Sequence, residues 1–262
     1  MRNFNNARQD QLKKRGAVLI TGASSGLGLA FSYEFASHGF DVVMTARNEE
    51  ILTAEAEKIK EKYGVTAAVY ISDLSVNGAA QKLYEQIKSD GRTVSVLVNN
   101  AGAGTCGESR LIGSDKDTDM INVNITSATV LSKLYANEFV EAGGGAICNV
   151  CSVGAFQPGP YTASYYASKA YLYNYTLALR CELSKYGVAV TALCPGSIDT
   201  PFFGKANAPE PKNGTDPAKV AVYGYKSLMK NKKTAICPFY NRLALIVPKS
   251  VRSAYVAKIK NR

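Results

Sequence analysis

The chain has 262 residues, 46% of them hydrophobic, and carries a formal net charge of +10. This length suits a single α/β domain with a sizeable core. No apolar run approaches the roughly 20 residues that a transmembrane helix requires, which argues against a membrane-spanning protein.

The positive charge is concentrated at one end of the chain. Residues 217–262 hold 11 of the 31 Lys and Arg residues and none of the 21 Asp and Glu residues. The rest of the chain is therefore close to neutral, and we treat residues 238–262 as a basic C-terminal extension. We expect no nucleic-acid partner, because basic tails are commonly solvated or directed to membranes.

The polar start of the chain and its cysteines favour a cytoplasmic protein. Residues 1–15 lack the apolar stretch of a secretory signal, and we expect residues 1–14 to be a flexible leader. Cys148 and Cys151 have Cys-x-x-Cys spacing, but no second Cys-x-x-Cys accompanies them, which favours reduced core thiols. His38 is the only histidine, so we expect no metal site.

Strand-like and helix-like patterns alternate along the chain. The strand-like runs are residues 18–21, 41–46, 67–71, 94–98, 146–151, 188–194 and 234–237. The helical patterns are residues 27–38, 49–62, 78–89, 118–141, 164–185 and 217–230. This alternation predicts a single-domain α/β fold of Rossmann type, with a doubly wound parallel sheet of about seven strands flanked by helices. The long irregular stretch 196–215 is typical of a functional loop, often a lid.

A glycine-rich turn separates the first strand from the first helical pattern. Its residues are Thr21-Gly22-Ala23-Ser24-Ser25-Gly26-Leu27-Gly28. Glycines let the backbone approach a pyrophosphate, and a helix N-terminus offers free N–H groups and a favourable dipole. The turn therefore predicts dinucleotide binding by Gly22, Ser24, Ser25, Gly26, Leu27 and Gly28. Taken alone, its Gly-x-x-x-Gly-x-Gly spacing also fits a merely structural turn.

The ends of the next three strands extend this prediction. No acid follows the second strand, and Arg47 can pair with a 2′-phosphate, so NADP(H) is favoured over NAD(H). A solvated surface arginine is the alternative. After the third strand, Asp73, beside Leu74, could accept from an adenine amino group or cap the next helix. Asn100, Ala101 and Gly102 end the fourth strand, where small residues let a ribose lie close.

Ser152, Tyr165 and Lys169 form a candidate catalytic set. Tyr165 and Lys169 are four residues apart on a predicted helix and so share one face. A neighbouring ammonium and an oxidised nicotinamide would lower the pKa of the phenol, and Ser152 could hydrogen-bond a substrate oxygen. Tyr84 and Lys88 have the same spacing with nothing catalytic nearby, so the spacing alone carries little information.

These motifs, in this order, resemble the single-domain branch of the short-chain dehydrogenase/reductase superfamily over about residues 15–237. The turn matches Thr-Gly-x-x-x-Gly-x-Gly, and residues 99–102 match Asn-Asn-Ala-Gly. The resemblance implies that Tyr165 is the acid/base, that Ser152 orients the carbonyl, and that Lys169 binds the nicotinamide ribose and lowers the pKa of the tyrosine. It also implies that Asn124 holds a water in a proton relay behind the lysine. Nicotinamide contacts are implied for Tyr165, Lys169, Pro195, Gly196, Ile198 and Thr200.

The expected function is NADP(H)-dependent reduction of a ketone, or oxidation of a secondary alcohol, on a hydrophobic substrate. Residues 153–158 with Ile198, Phe202 and Phe203 are expected to line an apolar pocket without an anchor for a small charged acid. By analogy, this suits steroid-like or 3-oxoacyl-like substrates. The alternative is a non-catalytic dinucleotide sensor or scaffold on the same fold. A homodimer or homotetramer is expected.

The C-terminal extension combines apolar and basic residues. Val251, Tyr255 and Ile259 repeat every fourth residue, which predicts one apolar helical face with a basic flank after Pro248. This face could pack on the domain or a neighbouring subunit. Alternatively, it could attach the protein peripherally to an anionic membrane or dock an acidic carrier.

Overall fold

Seven parallel strands form one sheet in the computed structural model, which describes residues 2–211 and 213–260. The strands β1 to β7 are Ala17–Thr21, Val42–Ala46, Ala67–Ile71, Val94–Asn99, Ala146–Val150, Ala189–Pro195 and Thr234–Cys237. Their order in the sheet is β3-β2-β1-β4-β5-β6-β7. The order reverses between β1 and β4, so a crevice forms at the carboxyl ends of these strands. The predicted fold class is confirmed.

Helices cover both faces of the sheet. The helices α1 to α11 are Arg2–Arg15, Gly26–Ser37, Glu49–Tyr63, Ala79–Ser89, Ser114–Ile121, Ala128–Glu141, Ala163–Leu183, Phe202–Lys205, Pro217–Met229, Tyr240–Ala244 and Lys249–Lys260. One apolar cluster joins α2, α3 and α9 to the sheet, and a second joins α4, α6 and α7 to the opposite face. All five residues of Val42–Ala46 are buried, as in a strand covered on both sides.

The single helix predicted over residues 118–141 begins earlier and is interrupted. It starts at Ser114, widens into a π-helical turn over Asn122–Ser127, and continues as α6. Such turns are rare and frequently accompany functional sites. The apolar spacing alone could not reveal the extra residue per turn.

The flexible leader predicted for residues 1–14 is wrong for residues 2–14, which belong to α1. Leu12 is buried, and its carbonyl accepts from the Gly16 N–H at 3.2 Å. Arg8 Nη1 lies 3.4 Å from the Met229 carbonyl oxygen on α9. The buried Leu12 and the contact of Arg8 therefore fasten this helix to the domain. Residue 1 lies outside the described residues.

The basic extension also folds, although differently from the predicted arrangement. Helix α11 forms after Pro248 as expected, but Val256 is its buried residue. Val251, Tyr255 and Ile259, the predicted apolar face, are exposed, so the alternative in which this face packs on the domain is wrong. Within residues 2–211 and 213–260, no helix combines the length and apolar character needed to cross a bilayer.

Candidate active site

A cavity of about 1320 Å³ opens at the carboxyl edge of the sheet. It exceeds the roughly 300–1,000 Å³ of a typical small-ligand pocket, so it can hold a dinucleotide together with a substrate. The glycine turn lines one part of it, and Ser152, Tyr165 and Lys169 line another. The structure thus brings the two predicted motifs into one space.

The glycine turn suits a phosphate. Gly22 and Gly26 have φ values of +67° and +55°, which side-chain-bearing residues rarely adopt. Ser25, the residue before α2, makes no side-chain capping bond, and the first turn of α2 contains no acid. The N–H groups at this helix end are therefore left for an anion. Ser24 and Leu27 also line the cavity.

Gly28 has a different role from the one predicted, because it does not line the cavity. A Cβ atom at this position would collide with the Gly22 carbonyl oxygen and lie 2.5 Å from Asn100 Nδ2. Gly28 therefore lets α2 pack against the turn.

Thr21 joins the ends of β1 and β4, although the sequence analysis gave this residue of the glycine-rich turn no role. Its Oγ1 accepts from the backbone N–H groups of Asn100 and Ala101, both at 2.9 Å. Asn100 Nδ2 in turn donates to the Thr21 carbonyl oxygen at 2.9 Å. These bonds hold the turn beside Asn100, Ala101 and Gly102, which line the cavity.

Arg47 and Asp73 lie at the outer end of the same cavity, with Leu74. The Arg47 side chain is 70% exposed, and its Nη1 is 3.9 Å from Asp73 Oδ2. Burial raises the pKa of Asp73, but the hydrogen bonds from Ser75 and the charge of Arg47 outweigh it and leave the pKa below its ordinary value. The residue before α4 is Gly78, so the alternative that Asp73 caps this helix is wrong.

Lys169 and Tyr165 share the cavity face of α7, as predicted. Lys169 is only 4% exposed, and its Nζ donates to the Val150 carbonyl oxygen at 2.9 Å. Its Nζ lies 5.9 Å from the centre of the Tyr165 ring. Burial lowers the pKa of Lys169, while Cys151 and Cys194 oppose this change. One hydrogen bond to Val150 leaves two ammonium hydrogens for a ligand.

In the protein alone, the pKa of Tyr165 is raised, whereas the lowering expected beside an oxidised nicotinamide stays a prediction. Burial raises the pKa well above its ordinary value, and a hydrogen bond with Ser152 opposes this shift only in part. The phenol is therefore protonated near neutral pH. Ser152 Oγ accepts from the Gly154 N–H at 3.0 Å, so the Ser152 hydroxyl hydrogen is the donor in its bond with Tyr165.

Asn124 lies behind the cavity, in the π-helical turn, and is 1% exposed. Its Oδ1 accepts from the Ala103 N–H at 2.8 Å, and its Nδ2 donates to the Ala103 carbonyl and to Ser168 Oγ, both at 2.9 Å. The side chain therefore ties the loop after β4 to α7 and acts as a positioning residue. Its role in holding a water stays a prediction.

The second Tyr-x-x-x-Lys pair is structural. Tyr84 Oη donates to Glu138 Oε1 at 2.6 Å, and Lys88 Nζ binds the same oxygen at 2.7 Å. Neither residue is among those that line the cavity.

The substrate end of the cavity differs in part from the prediction. Val153, Gly154, Ile198, Phe202 and Phe203 do line it, together with Pro195, Gly196 and Thr200 of the predicted nicotinamide region. Residues 155–158 do not. Phe156 packs against Tyr173 at 4.8 Å between ring centres, and Gln157 Oε1 accepts from Arg252 at 2.6 Å. Their contacts with α7 and α11 turn them away from the cavity.

Helix α11 supplies cavity residues that no local pattern indicated. Tyr255, Ile259 and Lys260 lie on the cavity wall, although the glycine turn is more than 220 residues away along the chain. Lys260 Nζ is 5.4 Å from the centre of the Phe203 ring. The expectation that the wall lacks a charged anchor is therefore wrong, because the long-range fold of α11 brings a cation there.

Comparison with known proteins agrees with this arrangement. The mouse "Inactive hydroxysteroid dehydrogenase-like protein 1" is 34% identical over 194 residues, 72% of this chain but only 58% of its own length. Sulfoacetaldehyde reductase 2 of Chromohalobacter salexigens is 36% identical over 71% of this chain and 73% of its own length. A short-chain dehydrogenase from Sphingobium yanoikuyae in complex with NADPH superposes with a TM-score of 0.82 at 28% identity, over 93% of this chain and 96% of that one.

The resemblance extends to proteins acting on steroids. A 7β-hydroxysteroid dehydrogenase structure superposes with a TM-score of 0.84 at 27% identity, over 94% of this chain and 99% of that one. A sequence profile of the short chain dehydrogenases matches residues 16–211, well over half of the chain. The chain therefore belongs to the short chain dehydrogenase family.

Proposed function

We propose that the protein is an NADP(H)-dependent oxidoreductase that reduces a ketone, or oxidises the corresponding secondary alcohol, on a hydrophobic substrate. The observation that carries the proposal is the shared cavity, which is lined by a half-buried protonated tyrosine, a buried lysine and an uncapped helix N-terminus. Such an arrangement combines a proton donor with a site for a charged dinucleotide.

The cofactor fits the residues that are present. Gly22, Gly26 and the N-terminus of α2 would hold the pyrophosphate, and Lys169 would donate to the nicotinamide ribose. Arg47 would pair with a 2′-phosphate, which favours NADP(H) over NAD(H). When bound, NADPH supplies the hydride that reduces the carbonyl carbon.

Two of the protein's own side chains then donate to the carbonyl oxygen. Tyr165 Oη donates its proton to this oxygen, because burial keeps the phenol protonated near neutral pH. The Ser152 hydroxyl hydrogen, which bonds Tyr165 in the protein alone, would be donated to the same oxygen, while Ser152 Oγ still accepts from the Gly154 N–H. Phe202, 5.4 Å from the Tyr165 ring, shields the phenol from water on the substrate side. In the reverse direction, Tyr165 takes the proton from the alcohol.

Removing Arg47 tests the choice of cofactor. Arg47→Ala should raise the Kd for NADPH about tenfold or more, because a charge-assisted pair with the 2′-phosphate is lost. The Kd for NADH should change little, since NADH lacks that phosphate. Fluorescence titration with both cofactors measures this, and equal losses for the two would remove the assigned role of Arg47.

A non-catalytic dinucleotide sensor is the second candidate. It is supported by the mammalian relatives that are named as inactive. The intact Ser152, Tyr165 and Lys169 favour an enzyme. NADPH oxidation with a panel of ketones separates the two possibilities. We expect turnover of bulky apolar ketones, of steroid or 3-oxoacyl type, with kcat/KM well above that for small polar ketones. Tight NADPH binding without turnover of any ketone would favour the sensor.

A further inference from the structure

The C-terminal extension carries an unusual concentration of exposed apolar side chains. Fifteen large hydrophobic residues are exposed in the described part of the chain, and eight of them lie between residues 239 and 259. We call the six most exposed of these the C-terminal patch: Phe239, Tyr240, Leu243, Ile246, Val251 and Tyr255, which are 55–80% exposed. Half of the exposed apolar side chains thus fall within one twelfth of the sequence.

Inward-facing residues hold the C-terminal patch in place. Leu245, which follows α10, packs on the apolar cluster of α7, β6 and β7. Val256 is the buried residue of α11, and Arg252 Nη1 donates to Gln157 Oε1 at 2.6 Å. The two helices are thus fixed to the domain by one set of side chains and present another set outward. The exposure is therefore a property of the folded surface, not of a loose tail.

The charges that the C-terminal extension itself carries are of one sign. Arg242, Lys249 and Lys258 are exposed beside it, and the chain has no Asp or Glu after residue 216. A twofold contact between two copies through this surface would bring like charges together, which opposes self-association. Exposed apolar and aromatic side chains on a segment whose own charges are all positive instead suit the interface of an anionic lipid bilayer.

We propose that the C-terminal patch docks the protein peripherally on an anionic membrane. Tyr255 belongs to the patch and also lines the catalytic cavity, together with Ile259 and Lys260. Docking would therefore bring the rim of the cavity to the lipid surface, where lipophilic ketones concentrate. The proposal of binding does not depend on the reductase activity, because vesicle binding is measured without substrate or cofactor.

The first test is sedimentation of the full chain with phosphatidylcholine vesicles, with and without phosphatidylserine, at low and high salt. We expect binding to the anionic vesicles at low salt, weakened by high salt, and little binding to neutral ones. Absence of binding to anionic vesicles at low salt overturns the proposal.

Paired variants locate the contact. Leu243→Glu with Ile246→Glu should weaken vesicle binding about tenfold or more, because both lose apolar insertion and gain charge repulsion. Ile51→Glu with Val76→Glu adds the same two charges at exposed positions outside the patch. Because this pair changes only the net charge, its vesicle affinity should stay within about twofold of that of the unmodified protein. Equal losses in the two pairs would overturn the proposal.

A second pair separates local from overall charge. Lys249→Glu with Lys258→Glu should weaken binding much more than Lys226→Glu with Lys230→Glu, although both change the net charge equally. Lys226 lies in α9 and Lys230 directly follows it, on the face of the sheet opposite to Leu245.

Circular dichroism and thermal unfolding confirm folding of each variant. If the Leu243 and Ile246 pair instead dissociates an oligomer in lipid-free ultracentrifugation, the surface joins copies and the proposal fails.

Discussion

Replacing Tyr165 by Phe should lower kcat for ketone reduction by roughly 10²–10⁴-fold, the usual contribution of a positioned general acid. The ring would keep its contact with Phe202, and only the hydroxyl would be lost. The Kd for NADPH should therefore stay within a few-fold of the original value, and the thermal midpoint should change little. Steady-state kinetics with the best ketone, together with cofactor titration, measure both quantities.

Tyr84→Phe is the matched control. This tyrosine also precedes a lysine by four residues, but its hydroxyl bonds to Glu138 and it does not line the cavity. Its removal should leave kcat within about twofold, while the loss of one hydrogen bond costs about 1 kcal/mol of stability. A Tyr165→Phe protein that kept most of its activity would show that another group supplies the proton.

The sheet and its helices were predictable because their signals are local. Runs such as Val42–Ala46 are apolar throughout and bounded by turns, so a parallel strand covered on both faces follows from the sequence. Helix α1 was missed because its sequence is mostly polar and shows no continuous apolar stripe, although Leu12 is buried. The π-helical turn was missed because apolar spacing does not register one added residue.

In the candidate site, too, the features with local sequence signals were predictable and those set by long-range packing were not. The glycine turn and the pair Tyr165 and Lys169 are encoded within a few residues each, and the fold brings them into one cavity as expected. The contribution of Lys260 depends on how α11 packs, which no short motif records. The raised pKa of Tyr165 in the protein alone also follows from burial by the surrounding elements, which the motif does not record. Non-local packing thus determines both the charge on the wall and the protonation of the acid.

The second large effect is expected at Gly28. In Gly28→Ala, the new methyl group would meet the Gly22 carbonyl oxygen and Asn100 Nδ2, the atom that donates to the Thr21 carbonyl. Because two backbone segments would have to separate, the free energy of unfolding should fall by about 1–3 kcal/mol, as in other overpacked sites. The displaced turn should also raise the Kd for NADPH at least about tenfold, since its N–H groups would no longer converge on the pyrophosphate.

Gly204→Ala provides the control for this change. Gly204 lies in α8, and a Cβ atom there would meet only Glu210 Oε1, at an ordinary contact distance of 3.7 Å. Its stability and NADPH affinity should stay close to the original, because alanine favours a helix over glycine and nothing must move. Thermal unfolding and cofactor titration of both variants give the comparison. If Gly28→Ala bound NADPH as tightly as Gly204→Ala, the close packing of α2 on the turn would not set the geometry of the phosphate site.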